Sequence, residues 1–187
     1  DDFPSPLKGF GHGSMTMLAH IPIHVLRQWV RHRYGTFTHI STDYDSLVER
    51  DLFFIPDKFR KQEGKVGSYT FTDMNPLENE AVRVKLLSNK NRQLSRYRML
   101  RAFDVPAEVA MFVFPTCFYN WVVVTKPLES LFNFCSLRTD SHAQKEIRDY
   151  ADAVWQLFRG AFPDIAELFS EKFYYGDSES VKSFKPE

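Results

Sequence analysis

The sequence predicts an α+β fold, and three observations carry that prediction. Strand-like and helix-like patterns alternate irregularly, without the strict strand–helix order of a doubly wound sheet. Residues 117–125 (CFYNWVVVT) are dense in β-branched and aromatic side chains, the composition of a half-buried pleated strand. Ile147, Ala151, Val154 and Phe158 fall on one helical face behind a Ser141–Gln144 pair at capping-box spacing.

The remaining elements follow in chain order. Residues 1–13 are rich in Pro and Gly and read as an irregular lead-in. In Ser14–Ile21, Met15, Met17, Ala19 and Ile21 alternate against Ser14, Thr16, Leu18 and His20, which predicts a strand. Pro22 suits the first position of a helix reaching about Tyr34, with Gly35 as its stop. Residues 35–48 read as a polar loop, 52–56 as a short extended segment and 57–75 as a glycine-bearing loop. A helix is expected from Pro76 to Phe103, with a break near Ser88–Asn91, and another over Pro106–Phe114. Pro127 opens a short helix burying Leu128, Leu131 and Cys135, and Gly160 with Pro163 closes the last one.

Length and composition bound the function. A chain of 187 residues holds one domain with a sizeable core, so residues 1–187 are expected to act as a single domain. The 18 Phe, 8 Tyr and 3 Trp imply dense aromatic packing or flat surfaces for planar ligands and neighbouring subunits. The 24 basic and 24 acidic side chains balance, which argues against a protein that coats nucleic acid. No run of 18 apolar residues and no signal-peptide pattern occurs, so no membrane partner and a cytoplasmic location are expected. Cys117 and Cys135 match no metal or redox spacing and read as small core residues. His12, His20, His24 and His39 form no metal-ligand spacing.

The chemistry-bearing feature is QWVRHRYGTFTHIS, residues 28–41. Arg31, His32 and Arg33 follow Gln28 and lead into a hydroxyl-rich segment. Forked guanidiniums suit planar oxygen-bearing groups and phosphates. On a continuing helix Arg31 and Arg33 point apart, so they would serve two ligands, or one ligand and one subunit contact. The bare residues fit a solvated basic helix end equally well.

Arg31-His32-Arg33, seven residues and then Ser41 resembles the R-H-R-x7-S signature of flavin-dependent thymidylate synthases. A chance match in a chain this long is on the order of 10⁻³ at average residue usage. VPAEVAMFVFP (105–115) and SLFNFCSLRTDSHAQKEIRDYA (130–151) resemble the second and third segments of that family, in the right order. The resemblance implies an α+β fold, with an antiparallel sheet and helices, assembled as a homotetramer whose active sites draw on several subunits. It implies FAD as cofactor, NADPH as reductant, methylenetetrahydrofolate as carbon donor and a uracil nucleotide as substrate, methylated at C5 without an enzyme cysteine. By the same resemblance Gln28, Arg31, His39 and Ser41 bind nucleotide, and Arg31, His32, Arg33 and Asn133 contact FAD. Arg138 would be catalytic, holding the pyrimidine and stabilising charge that develops on its carbonyl oxygens.

Departures from the family pattern cluster at the sugar-phosphate end. His39 stands where a glutamate is usual, Asp43 and Met111 where arginines are usual. Arg83, Arg92, Arg96 and Arg98 are alternative phosphate contacts. Pro6, Pro127 and Glu129 replace a histidine, an asparagine and an arginine. The rebuilt 38–44 segment is similar to what a ribonucleotide-accepting variant, such as the polyoxin-pathway UMP C5-methylase, would need, so UMP, with dUMP also accepted, is the expected substrate. Two other readings stay open: an FAD-binding homologue that has lost methylation and serves as oxidase or binding module, and a nucleotide- or RNA-binding interaction protein.

Overall fold

A computed structural model of the chain describes residues 8–40, 45, 53–65 and 68–175. Two compact units emerge, one of residues 1–40 with 120–187, the other of residues 41–119.

The first unit is built on a three-stranded sheet in the order β1-β5-β2, from β1 (Ser14–Pro22), β2 (Thr36–His39) and β5 (Tyr119–Pro127). β1 buries Met17, Ala19 and Ile21 and exposes Thr16 and Leu18, the expected alternation. β2 pairs antiparallel with β5 through Thr36↔Thr125 to His39↔Val122. The sequence pattern predicts a polar loop over these residues. As an edge strand, β2 turns Phe37 onto the core and leaves Thr36, Thr38 and His39 in solvent, so a polar composition is what it needs.

Helix α1 (Ile23–Trp29) starts one residue later than expected, with Pro22 ending β1 as its N-cap, and ends five residues before Tyr34. The chain leaves the helix through tight turns, with Arg31 N donating to Gln28 O and His32 N to Trp29 O. Gly35 has φ +133°, and a Cβ there would meet Thr125 O at 2.5 Å and Lys126 Cδ at 2.6 Å.

Three further helices of this unit come from the C-terminal part of the chain, although the sequence reading found only two. With the four-residue α3 of the second unit preceding them, they are α4 (Leu128–Arg138), α5 (Lys145–Ala161) and α6 (Pro163–Phe173). Pro163 opens α6 instead of only closing α5, because the first helical turn needs no N–H from it. α5 begins at Lys145 with no side-chain cap from Gln144; the Ser141 box is replaced by Asp140, whose carboxylate accepts from His142 N. The buried face of α5 is the predicted one, and Leu128, Leu131 and Cys135 of α4 are buried as predicted. The aromatic excess fills this core: Trp29 stacks on Phe134 at 4.8 Å, and Phe132 meets the edges of Phe10 and Phe158 at 5.5 and 5.0 Å.

The second unit holds β3 (Arg60–Lys65) and β4 (Ser68–Asp73), an antiparallel pair where the sequence suggested a loop. Every residue of β4 is exposed, so no inside/outside alternation marked the strand. α2 runs unbroken from Pro76 to Ala102. Its Ser88–Asn91 stretch costs only tenths of a kcal/mol per residue, too little to break a helix already nucleated on both sides. Asn75 and Glu78 form a full capping box before Pro76. Asp104, at φ 58°, closes the helix as a left-handed residue, with Val105 N bonded to Leu100 O and Asp104 N to Arg101 O. The expected Pro106–Phe114 helix is one α turn, α3 (Ala107–Ala110), continued by a 3-10 turn over Met111–Val113. Leu94, Tyr97 and Ala110 form the core here, with Phe53 and Phe114 against them.

Two glycine substitutions should separate strain from entropy. Gly35→Ala should destabilise the protein by about 2 kcal/mol or more, because its Cβ strikes backbone at a positive φ. Gly160→Ala, in α5 with nothing within 4 Å, should stabilise by roughly 0.5–1 kcal/mol. Urea midpoints of both variants against the parent protein check the pair.

Candidate active site

The site residues named from sequence fall mostly in the first unit, on the turn after α1, the sheet edge and the end of α4. Arg138 closes the last turn of α4 and donates from Nε to His32 Nε2 at 3.1 Å. The ring is thereby an acceptor at Nε2, and its proton sits on Nδ1. Burial, then the Arg138 charge, then the Lys126 charge push the His32 pKa down to about 4. His32 is therefore neutral at pH 7, edge-on to the Phe134 ring at 5.1 Å. Arg138 keeps both terminal nitrogens out of any hydrogen bond with the described residues. Its fork is held at one end and open at the other.

Arg31 and Arg33 flank His32 on the same turn and are exposed. They lie beyond the helix rather than on it, so the 100° helical step expected between them does not apply. Gln28, still on α1, donates from Nε2 to Gln144 Oε1 at 2.6 Å. His39 on β2 accepts at Nδ1 from the Asn120 amide, 2.8 Å away on β5. Asn133 is exposed on α4, about 140° around the helix from Arg138. Ser41, together with Asp43 and Pro6, lies outside the described residues. Direct contact thus joins His32 to Arg138, while Gln28 and His39 each bind a residue outside the site set named from sequence.

Lys126, which the sequence did not single out, holds this turn from beneath. It is fully buried, and its Nζ donates to His32 O and, at 3.1 Å, to Tyr34 O. The ammonium also lies 4.5 Å from the centre of the Phe37 ring. Desolvation lowers its pKa to about 8. Ser130 Oγ adds a second donor to Tyr34 O at 2.7 Å. A signal was present: Val122, Val124 and Lys126 share the inward face of a period-2 strand, where a lysine is out of place.

Comparison with known proteins settles the lineage. The family model for thymidylate synthase complementing protein (Thy1) matches residues 7–164. The flavin-dependent thymidylate synthase of Thermosipho melanesiensis is 35% identical over 170 residues, covering 90% of this chain and 72% of that protein. The Thermosipho africanus enzyme of the same name is 36% identical over 176 residues, covering 89% and 75%. This chain belongs to the flavin-dependent thymidylate synthase family. Among solved structures, the UMP/dUMP methylase PolB from Streptomyces cacaoi bound with 5-Br UMP superposes with a TM-score of 0.77 at 28% identity, covering 87% of this chain and 75% of that one.

Family membership brings FAD as the cofactor, and the donor set fits it. Two exposed guanidiniums, Arg31 and Arg33, form no ion pair among the described residues, and Asn133 offers an exposed amide. Pro127, the residue before α4, has no N–H to give, and half-buried Glu129 adds a negative charge in its first turn. The cysteines are poor nucleophiles: burial raises the Cys117 thiol, and burial with the Asp152 charge raises that of Cys135. That agrees with a flavin-dependent enzyme working without a cysteine. Of the alternative phosphate contacts, Arg83 pairs with Asp57 at 3.4 Å, while Arg92, Arg96 and Arg98 are exposed on α2. Met111 packs beside the second core. No helix of the described residues is long and apolar enough to cross a membrane.

His32 gives a pH signature. Between pH 6.5 and about 4 the unfolded chain binds a proton at this ring and the folded chain does not, so its contribution to stability falls on acidification through that window. His32→Gln should flatten the slope of unfolding free energy against pH between 6.5 and 4. Chemical denaturation of both proteins across that range checks it, and parallel curves would count against a neutral His32.

Proposed function

We propose that the chain catalyses flavin-dependent C5-methylation of a uracil nucleotide, UMP and also dUMP, with methylenetetrahydrofolate as carbon donor and NADPH as reductant. The observation that carries the reading is the Arg138–His32 pair beside the exposed Arg31 and Arg33, in a chain of this family. When bound, FAD carries the reducing equivalents from NADPH to the one-carbon transfer. Arg31, His32, Arg33 and Asn133 are assigned to hold it, and Gln28, Arg31, His39 and Ser41 to bind the nucleotide. Arg138 is assigned to the pyrimidine.

The residues' own chemistry follows from the geometry. Reaction at C5 and C6 pushes electron density onto the ring carbonyl oxygens. A guanidinium fixed through Nε presents its two terminal nitrogens to that charge without reorganising. Neutral His32 orients Arg138 without the repulsion an imidazolium would exert.

UMP is favoured because His39 brings an imidazole where the family usually has a carboxylate, and because PolB, a UMP/dUMP methylase, is a structural relative also seen with 5-Br dUMP at a TM-score of 0.74 and 27% identity. The assembly is proposed as a homotetramer, residues 1–187 as one catalytic domain and the location as the cytoplasm.

Tritium release from C5-labelled UMP and dUMP, with methylenetetrahydrofolate and NADPH, decides the reaction and the sugar together. Release from UMP at least equal to that from dUMP is expected. Turnover of dUMP alone would overturn the sugar assignment, and a yellow protein releasing no tritium would favour the homologue that has lost methylation. Arg138→Ala should lower kcat at least 10²-fold with the oligomer intact. Arg138→Lys should not restore it, since an ammonium has no Nε to spend on His32 while presenting a fork.

A further inference from the structure

We propose that Lys126 is a positioning residue for this reaction: its ammonium sets the Arg31-His32-Arg33 turn and, through His32, the aim of Arg138. The inference rests on the reading of that turn as the flavin and nucleotide surface.

The geometry begins with the strand. β5 sends Val122, Val124 and Lys126 inward, all with no solvent exposure. An ammonium in that position has no water to bond and must find acceptors in the protein. It finds the carbonyls of His32 and Tyr34, two residues apart on one turn, with the Phe37 face beneath. Ser130 of α4 fixes the Tyr34 carbonyl from a second side. Gly35 completes the enclosure, because a Cβ there would lie 2.6 Å from the lysine stem. The turn carrying both exposed arginines is thus wrapped around one buried charge.

A purely structural filler would not be built this way. An apolar side chain of similar volume usually serves a core as well as a buried charge or better. Lys126 supplies what a filler cannot, two directed donors and a positive charge beside His32. Burial, then the Arg138 charge, then this charge push His32 toward its neutral form, and neutral Nε2 is the acceptor that Arg138 needs. The titratable groups facing the ammonium are His32 and, behind it, Arg138; Phe37 of β2, Ser130 of α4 and Gly35 bring no charge.

The test uses Lys126→Met, which keeps the volume, and Lys126→Gln, which keeps a donor without the charge. Three quantities are read in each: the His32 pKa by NMR, the Kd for FAD, and kcat and KM for the nucleotide. Lys126→Met should raise the His32 pKa measurably from about 4, weaken FAD about tenfold and lower kcat more than it changes KM. Lys126→Gln should recover part of the FAD affinity while leaving the His32 pKa raised. A folded Lys126→Met protein with parental His32 titration and parental FAD affinity overturns the proposal. Should neither variant fold, the unmodified protein decides: an imidazole titrating near 6.5 is neither buried beside a cation nor the neutral acceptor that Arg138 needs, and the proposal fails. If the unmodified protein binds no FAD, the functional reading fails, whereas the His32 titration still judges the lysine's part.

Discussion

The buried ammonium of Lys126 has to be solvated by the chain itself, and much of the first unit is arranged to do so. Moving an ammonium out of water costs several kcal/mol even after relaxation, so its acceptors cannot be left to chance. The carbonyls of His32 and Tyr34 meet that demand because they are not consumed inside a helix. Had α1 continued to Tyr34, as its sequence pattern suggests, the His32 carbonyl would have pointed along the helix axis toward residue 36. The end of α1 at Trp29, the tight turns that follow, the positive φ of Gly35 and the return of the chain as β2 beside β5 are all compatible with one charge in one place.

That constraint propagates to the chemistry. A cluster holding Lys126, Arg138, Arg31 and Arg33 would seem electrostatically hostile, yet its central member is neutral. Burial first, and then the Arg138 and Lys126 charges, keep His32 unprotonated, and its Nε2 lone pair holds Arg138. Arg138 is anchored by its inner nitrogen, which costs the outer fork nothing. In the role proposed for Arg138, preorganisation of this kind would lower a barrier because the donors need not turn when charge appears on the substrate.

Legibility in the sequence followed burial contrast. β1, β5 and the inner faces of α4 and α5 were readable because each alternates or spirals between core and solvent, and burial of Met17, Ile21, Val124, Leu131 and Phe158 matches the pattern. β2 and the β3–β4 pair were not, since strands with polar or wholly exposed faces carry no periodic signal. The Ser141 box misled because Asp140, one residue earlier, has the shorter route to a backbone N–H. In the site, Arg31, His32, Arg33 and Arg138 stood out as chemistry. Their contacts did not, because Lys126, Ser130, Gln144 and Asn120 are remote in sequence from the groups they hold and only folding brings them near. Lys126 alone broke a visible rule, that of a strand's inner face.

His39 shows how the same logic extends to the edge of the site. An amide nitrogen can only donate, so the Asn120 contact makes His39 Nδ1 an acceptor and leaves the proton on Nε2. The exposed face of β2 therefore offers an N–H donor at Nε2, where a glutamate would offer only acceptors at pH 7. A carboxylate there would repel a phosphate and accept from a sugar hydroxyl; the imidazole does neither and can donate to both. Changing this one residue reverses the polarity of the hydrogen bond that the strand edge can make. Under the proposed assignments, such a reversal would act on the sugar-phosphate portion of a nucleotide without touching the His32–Arg138 pair assigned to the ring, so the two ends of the substrate would be specified independently.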